Sequence, residues 1–169
     1  SNTVRTLTTS INAVNDAPVA SGTTTLASID EDTTNPLGAT VSSLFGGVLN
    51  FSDSTDEMTS IAVSGGSIAN TFVGIAISNY TSDSAKGDWQ YSANNGSSWT
   101  TLSNATTTSA ITLNAATKLR FLPAANYNLN STTLAANLIE SGSALLPAGS
   151  GSASATITDG ATINLTSAT

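Results

Sequence analysis

Short runs of alternating apolar and polar residues recur along most of this chain, every 8–14 residues from Val48 onward, with turn residues between them. A period of two sends one side-chain set into a core and the other into water, so the pattern predicts half-buried β-strands. Strands are expected near 48–51, 58–64, 72–78, 86–93, 98–103, 109–113, 118–122, 132–139, 152–158 and 161–166. Two earlier extended runs lie at 3–13, where Leu7, Thr9, Ile11 and Ala13 share a face, and at 18–29. Between them and the later strands, IDEDTTNPLG is an acidic loop with Pro36 and Gly38 as turn residues. ATVSSLFGG predicts one short helical turn, with Val41, Leu44 and Phe45 inward and Gly46-Gly47 ending it. This spacing predicts an all-β fold, an antiparallel Greek-key β-sandwich.

The sharpest local signal is WQYSANNGSSW. Asn95-Gly96 stands between two β-runs and is the favoured pair for a type I′ hairpin turn. Trp89 and Tyr91 share a face by alternation, and Trp99 can pack across the hairpin, so the element is expected to anchor the core. Part of it, SANNGSSW, approximates the Asp-box Ser-x-Asp-x-Gly-x-Thr-Trp of sialidase propellers, with Asn94 and Ser98 in the Asp and Thr positions. A propeller needs several copies and the chain has one, so the motif reads as a structural hairpin rather than a glycosidase.

Composition narrows the function classes. Only 9% of the 169 residues are charged, the net charge is −7, and the four cations are Arg5, Lys86, Lys118 and Arg120. Nucleic acid and anionic lipid both demand a basic surface, so neither is expected as a partner. No apolar stretch approaches the length of a membrane span, which argues against direct membrane insertion. Cysteine and histidine are absent, which removes disulfides, thiol chemistry and the commonest general base. An enzyme is not expected.

The eleven acids fall largely into clusters: Asp16 beside Asn15, Asp30-Glu31-Asp32, Asp53 with Asp56 and Glu57, and Asp83 with Asp88. Calcium takes six to eight oxygens from carboxylates, amide carbonyls and backbone, and acidic loops rich in Asn and Gly supply them. The spacing fits neither the EF-hand loop nor the nonapeptide calcium repeat. Lys86 or Lys118 with a nearby Asn and carboxylate could form an isopeptide, but each reads as a surface cation.

INAVNDAPVA, where a β-like run ends at Val14 and Pro18 enforces an extended exit, resembles the joint between tandem cadherin-like or Ig-like repeats of large bacterial surface adhesins. IDEDTTNPLGATVSSLF, FSDSTDE, GIAISN, GDWQYSANNGSSW and KLRFLPAANY follow in an order similar to one module of such proteins, which are type I secreted and of RTX type. The resemblance implies that residues 1–14 are the closing strand of a preceding repeat and the start of a linker, and that 15–169 are one repeat. It implies an extracellular spacer at a bacterial cell surface, stabilised by Ca2+. Asn15 and Asp16 would be linker ligands, with Glu31, Asp32, Asp53 and Asp56 nearby. Partners would be neighbouring repeats of the same polypeptide and, by strand exchange through 3–13, another copy. The alternative is a carbohydrate- or surface-binding module of the same kind of protein, with Tyr80 and Tyr127 as exposed aromatics. The C-terminal run ATINLTSAT is expected to stop short of the repeat's own closing strand.

Overall fold

The computed structural model describes residues 5–9, 17–47, 51–53, 70–141, 143, 152–155 and 162–167. The strand expected at 58–64 and the linker around Asn15 lie outside them. In chain order the described elements are β1 (Val19–Ala20), β2 (Thr23–Leu26), β3 (Ala39–Thr40), α1 (Val41–Phe45), β4 (Phe51–Ser52), β5 (Phe72–Asn79), β6 (Gly87–Ser92), β7 (Thr100–Thr101), β8 (Ala110–Asn114), β9 (Lys118–Pro123), β10 (Leu134–Glu140), β11 (Ser152–Ala155) and β12 (Thr162–Ser167). The chain is all-β, as the alternation requires. Extended run 18–29 breaks into β1 and β2 at Gly22, whose φ is +81°.

Among the described residues the strands form three sheets. A six-stranded sheet has the order β11-β8-β5-β10-β12-β2, a four-stranded sheet the order β3-β9-β6-β7, and β1 pairs with β4. Every ladder between these strands is antiparallel except one: β12 and β2 run parallel, with Asn164 opposite Thr23 and Ser167 opposite Leu26. A purely antiparallel sheet was expected, and this pair corrects it. Residues 162–167 take the place between β10 and β2 in the six-stranded sheet.

One core joins the two large sheets. Leu26, Ile75, Ile77, Leu113, Leu134, Leu138 and Leu165 come from the six-stranded sheet, and Trp89, Leu119 and Phe121 from the four-stranded one. The inward set on β5 and β9 keeps the period of two, which is why alternation located these strands. Trp89 is fully buried, lies 5.5 Å from the Phe121 ring, and donates its indole N–H to the Thr132 carbonyl at 2.7 Å. A buried indole needs such an acceptor.

α1 forms as the sequence predicts. The Thr40 hydroxyl caps it by accepting from the Ser43 N–H at 3.1 Å, and the Gly46 N–H closes it on the Ser42 carbonyl at 2.9 Å. Val41, Leu44 and Phe45 all enter the core. The predicted N-terminal strand differs. Residues 5–9 join no ladder, and Leu7 is 96% exposed.

Candidate functional site

Two places concentrate polar chemistry. The first is the neck between β4 and β5. Asp53 follows β4 directly and is only 5% exposed. Its Oδ2 accepts the Asn70 N–H, while its Oδ1 is buried and accepts no hydrogen bond from the described residues. The Asn70 carboxamide oxygen accepts from the Ser141 hydroxyl at 3.1 Å, and that hydroxyl accepts the Thr71 N–H at 3.0 Å. A backbone bond from Ser141 to the Thr71 carbonyl at 2.8 Å seals the neck. Beside it, Glu140 is buried at the end of β10, opposite Phe72, and Phe72 packs edge-on against Phe51 at 5.9 Å. An ionised carboxylate held this deep needs a cation or donors, because losing its water costs several kcal/mol by the usual order of magnitude. Asp53 has one donor and, among the described residues, no cationic side chain within 4 Å.

The other expected calcium ligands are placed elsewhere or not described. Glu31 is exposed on the acidic loop. Asp32, in the left-handed region at φ +62°, spends Oδ1 on the Asn126 N–H at 2.8 Å, so it ties the acidic loop to the turn after β9. Asn15, Asp16 and Asp56 lie outside the described residues. Among those that are described, no three carboxylates come together in reach of one ion. Asp83 organises the turn into β6, accepting the Ala85 N–H at 3.2 Å and pairing with Lys86 at 3.7 Å; both side chains are 41% exposed.

The second place is the outer face of the four-stranded sheet with its hairpin. Asn95 and Gly96 have φ of +58° and +94°, as the two central residues of a type I′ turn require, and the Ser97 N–H reaches the Asn94 carbonyl at 3.3 Å. The expected turn is therefore present. Side chains hold it: the Ser92 hydroxyl accepts the Gly96 N–H at 2.8 Å, and Asn94 Oδ1 accepts the Ser98 N–H at 2.9 Å. Asn94 Nδ2 donates to the Ser98 hydroxyl at 2.8 Å. The Ser-x-Asn-x-Gly-x-Ser-Trp spacing thus builds a turn, which is what it was read to do.

The two tryptophans then part company. Trp89 and Tyr91 face the shared core, as alternation predicted. Trp99 is half-buried and lies outside that core, with the Arg120 guanidinium 4.0 Å over its ring. Arg120 belongs to β9, where it stands opposite Gln90 of β6, and it is only 6% exposed. Its Nε donates to Gln90 Oε1 at 2.8 Å, and its Nη1 to Asn35 Oδ1 at 2.7 Å and to the Pro36 carbonyl at 3.2 Å. The 35–38 loop reaches this position because Gly38, at φ +65°, runs against β9: a Cβ there would sit 2.3 Å from the Leu119 carbonyl oxygen. Burial lowers the pKa of Arg120 from the ordinary arginine value.

Sequence reasoning missed Arg120 as a site residue, since nothing in KLRFLP distinguishes a buried arginine from a solvated one. The only available signal was its outward parity beside the inward Leu119 and Phe121. Of the aromatics expected on the surface, Tyr80 is corrected: it is 1% exposed and part of the core. Tyr127 is half-buried and donates its hydroxyl proton to the Asn130 carbonyl at 2.7 Å. Among the described residues no helix is long and apolar enough to cross a membrane. Set against protein-family models, curated proteins and solved structures, the chain finds no match.

Proposed function

We propose that this chain is a spacer repeat of a bacterial surface adhesin, a cadherin-like Greek-key sandwich working outside the cell and stabilised by calcium, with no catalytic role. The observation that carries the spacer reading is the parallel pairing of β2 with β12. Parallel neighbours start at the same pole of a sheet. The chain therefore runs into β2 at one pole and leaves β12 at the opposite pole, which lets copies follow one another end to end. An antiparallel β2–β12 pair would instead return the chain to the pole it came from. Residues 1–14 then act as the last strand of a preceding repeat, with strand exchange open to them because Leu7 has no partner surface in the described chain.

Asp53 supports the calcium part of the reading. A buried carboxylate oxygen with no hydrogen bond from the described residues suits a hard cation, and extracellular modules bind calcium at about 0.1–1 mM. Asp53 would hold it, with Asn70 Oδ1 near at hand and the linker residues Asn15 and Asp16 serving the junction. Bound there, the ion supplies charge compensation and stiffness, not chemistry. Two copies joined in tandem test the reading by small-angle scattering. The expected maximum dimension in calcium is close to the sum of the two modules; a compact, side-by-side pair would contradict it.

A further inference from the structure

The outer face of the four-stranded sheet holds a buried cation whose contacts are all neutral. Gln90, Asn35 and the Pro36 carbonyl accept from Arg120, and Trp99 covers it, but among the described residues no carboxylate comes within 4 Å. A buried charge is normally paired, so this arrangement is short of an anion. It is also short of acceptors. Arg120 uses Nε and Nη1, and its Nη2 donates to none of the described residues. Asn35 must turn Oδ1 towards Nη1, since the opposite orientation would set donor against donor. Its Nδ2 therefore faces away, and it too donates to none of the described residues. These two donor groups belong to side chains joined by a 2.7 Å hydrogen bond, one on an exposed loop and the other a guanidinium stacked on a half-exposed indole.

We propose that Arg120 Nη2 and Asn35 Nδ2 form a binding site for the carboxylate of an acidic saccharide, a uronic acid unit whose ring lies along Trp99. Guanidinium and carboxylate match in geometry as well as charge. The exposed part of the Trp99 ring offers an apolar surface for a sugar's C–H face, and exposed Thr101, bonded to Gln90 at 3.3 Å, adds a hydroxyl beside it. A singly charged sugar fits better than an acidic peptide. The chain carries a net charge of −7, so a ligand with several negative charges meets long-range repulsion that a single uronate largely escapes. The site shares no residue with the Asp53 neck and does not rest on the spacer reading.

The test is titration of the full chain with a neutral oligosaccharide that carries one uronic acid unit and with the same oligosaccharide after reduction of that carboxyl to an alcohol. Binding is followed by calorimetry and by the NMR signals of the Trp99 indole and Arg120 Nε–H. The expected result is a saturable shift of both signals by the uronate, and at least tenfold weaker binding of the reduced sugar. Arg120→Lys should weaken uronate binding about tenfold, but it also removes hydrogen bonds that hold Gln90, Asn35 and Pro36 in place. Asn35→Asp avoids that difficulty: it keeps the Nη1 acceptor, hands Arg120 a carboxylate, and removes the Nδ2 donor. It should raise the melting temperature and abolish uronate binding. The proposal is overturned if neither signal moves at tens of millimolar uronate, if the reduced sugar binds equally well, if Asn35→Asp binds uronate unchanged, or if an acidic peptide binds there in its place.

Discussion

Replacing each tryptophan by phenylalanine separates two roles that the hairpin sequence makes look equivalent. In Trp89→Phe the lost indole N–H leaves the Thr132 carbonyl without its 2.7 Å donor. An unsatisfied buried acceptor costs about 1–3 kcal/mol. The fully buried ring also shrinks against Phe121, and core truncation of this size adds roughly 1 kcal/mol for the space left behind. The expected loss is therefore about 2–4 kcal/mol. Trp99→Phe keeps an aromatic face under Arg120, on a half-exposed residue that lies outside the shared core. Cation–π contacts are worth about 0.5–2 kcal/mol in all, and phenylalanine retains part of that, so the loss should stay below about 1 kcal/mol. Urea unfolding read by far-UV circular dichroism measures both. With a slope of about 1–3 kcal/mol/M, a gap of about 2 kcal/mol moves the midpoint by roughly 1 M. Equal losses, or a larger loss for Trp99→Phe, would refute the placement of Trp89 in the core and Trp99 on the outer face.

Gly38→Ala should destabilise by more than about 1 kcal/mol in the same assay, because φ is +65° and the new Cβ meets the Leu119 carbonyl oxygen, a backbone atom that cannot step aside; a neutral result would mean that the 35–38 loop does not lie on β9 as described. Burial pushes the Tyr80 hydroxyl above its usual value of 10.0, with Asp88 and Asp83 adding to the shift. The folded chain therefore holds that proton where the unfolded chain has lost it. Tyr80's contribution is complete below pH 10 and falls as pH rises past 10 towards the raised value, by up to about 1.4 kcal/mol per pH unit. Tyr80→Phe should flatten that alkaline decline in a pH series of melting curves, and an unchanged slope would count against a buried hydroxyl.

The parts of this fold that could be read from the sequence are those set by local chemistry. Period-two runs located β5, β6, β8, β9 and β10 because one face of each meets the core. Val41, Leu44 and Phe45 marked α1 through their spacing before a glycine pair, and Asn95-Gly96 marked the turn through its tolerance of positive φ. What escaped was decided by pairing between distant segments. Nothing in TTTL or TINLTS states that the two strands will lie parallel, and β3 is too short to show alternation at all. Tyr80 was misplaced because one aromatic after a strand has no periodicity of its own. The acids tell the same story: Asp32 and Asp53 look alike in sequence, but one caps a turn at Asn126 and the other is sealed in the neck beside Asn70. Arg120 and Asn35 are far apart along the chain, and only the path of the loop over β9 brings them together.

The calcium-stabilised spacer stands or falls most directly on melting curves in millimolar calcium and in chelator, run on the wild-type chain and on Asp53→Asn. The account predicts a higher melting temperature in calcium for the wild type, corresponding to about 2.7 kcal/mol per site at free calcium 100-fold above Kd. It predicts a smaller calcium effect in Asp53→Asn, together with greater stability than wild type in chelator, since the variant no longer buries an uncompensated charge. Identical melting temperatures for the wild type in calcium and in chelator would contradict it.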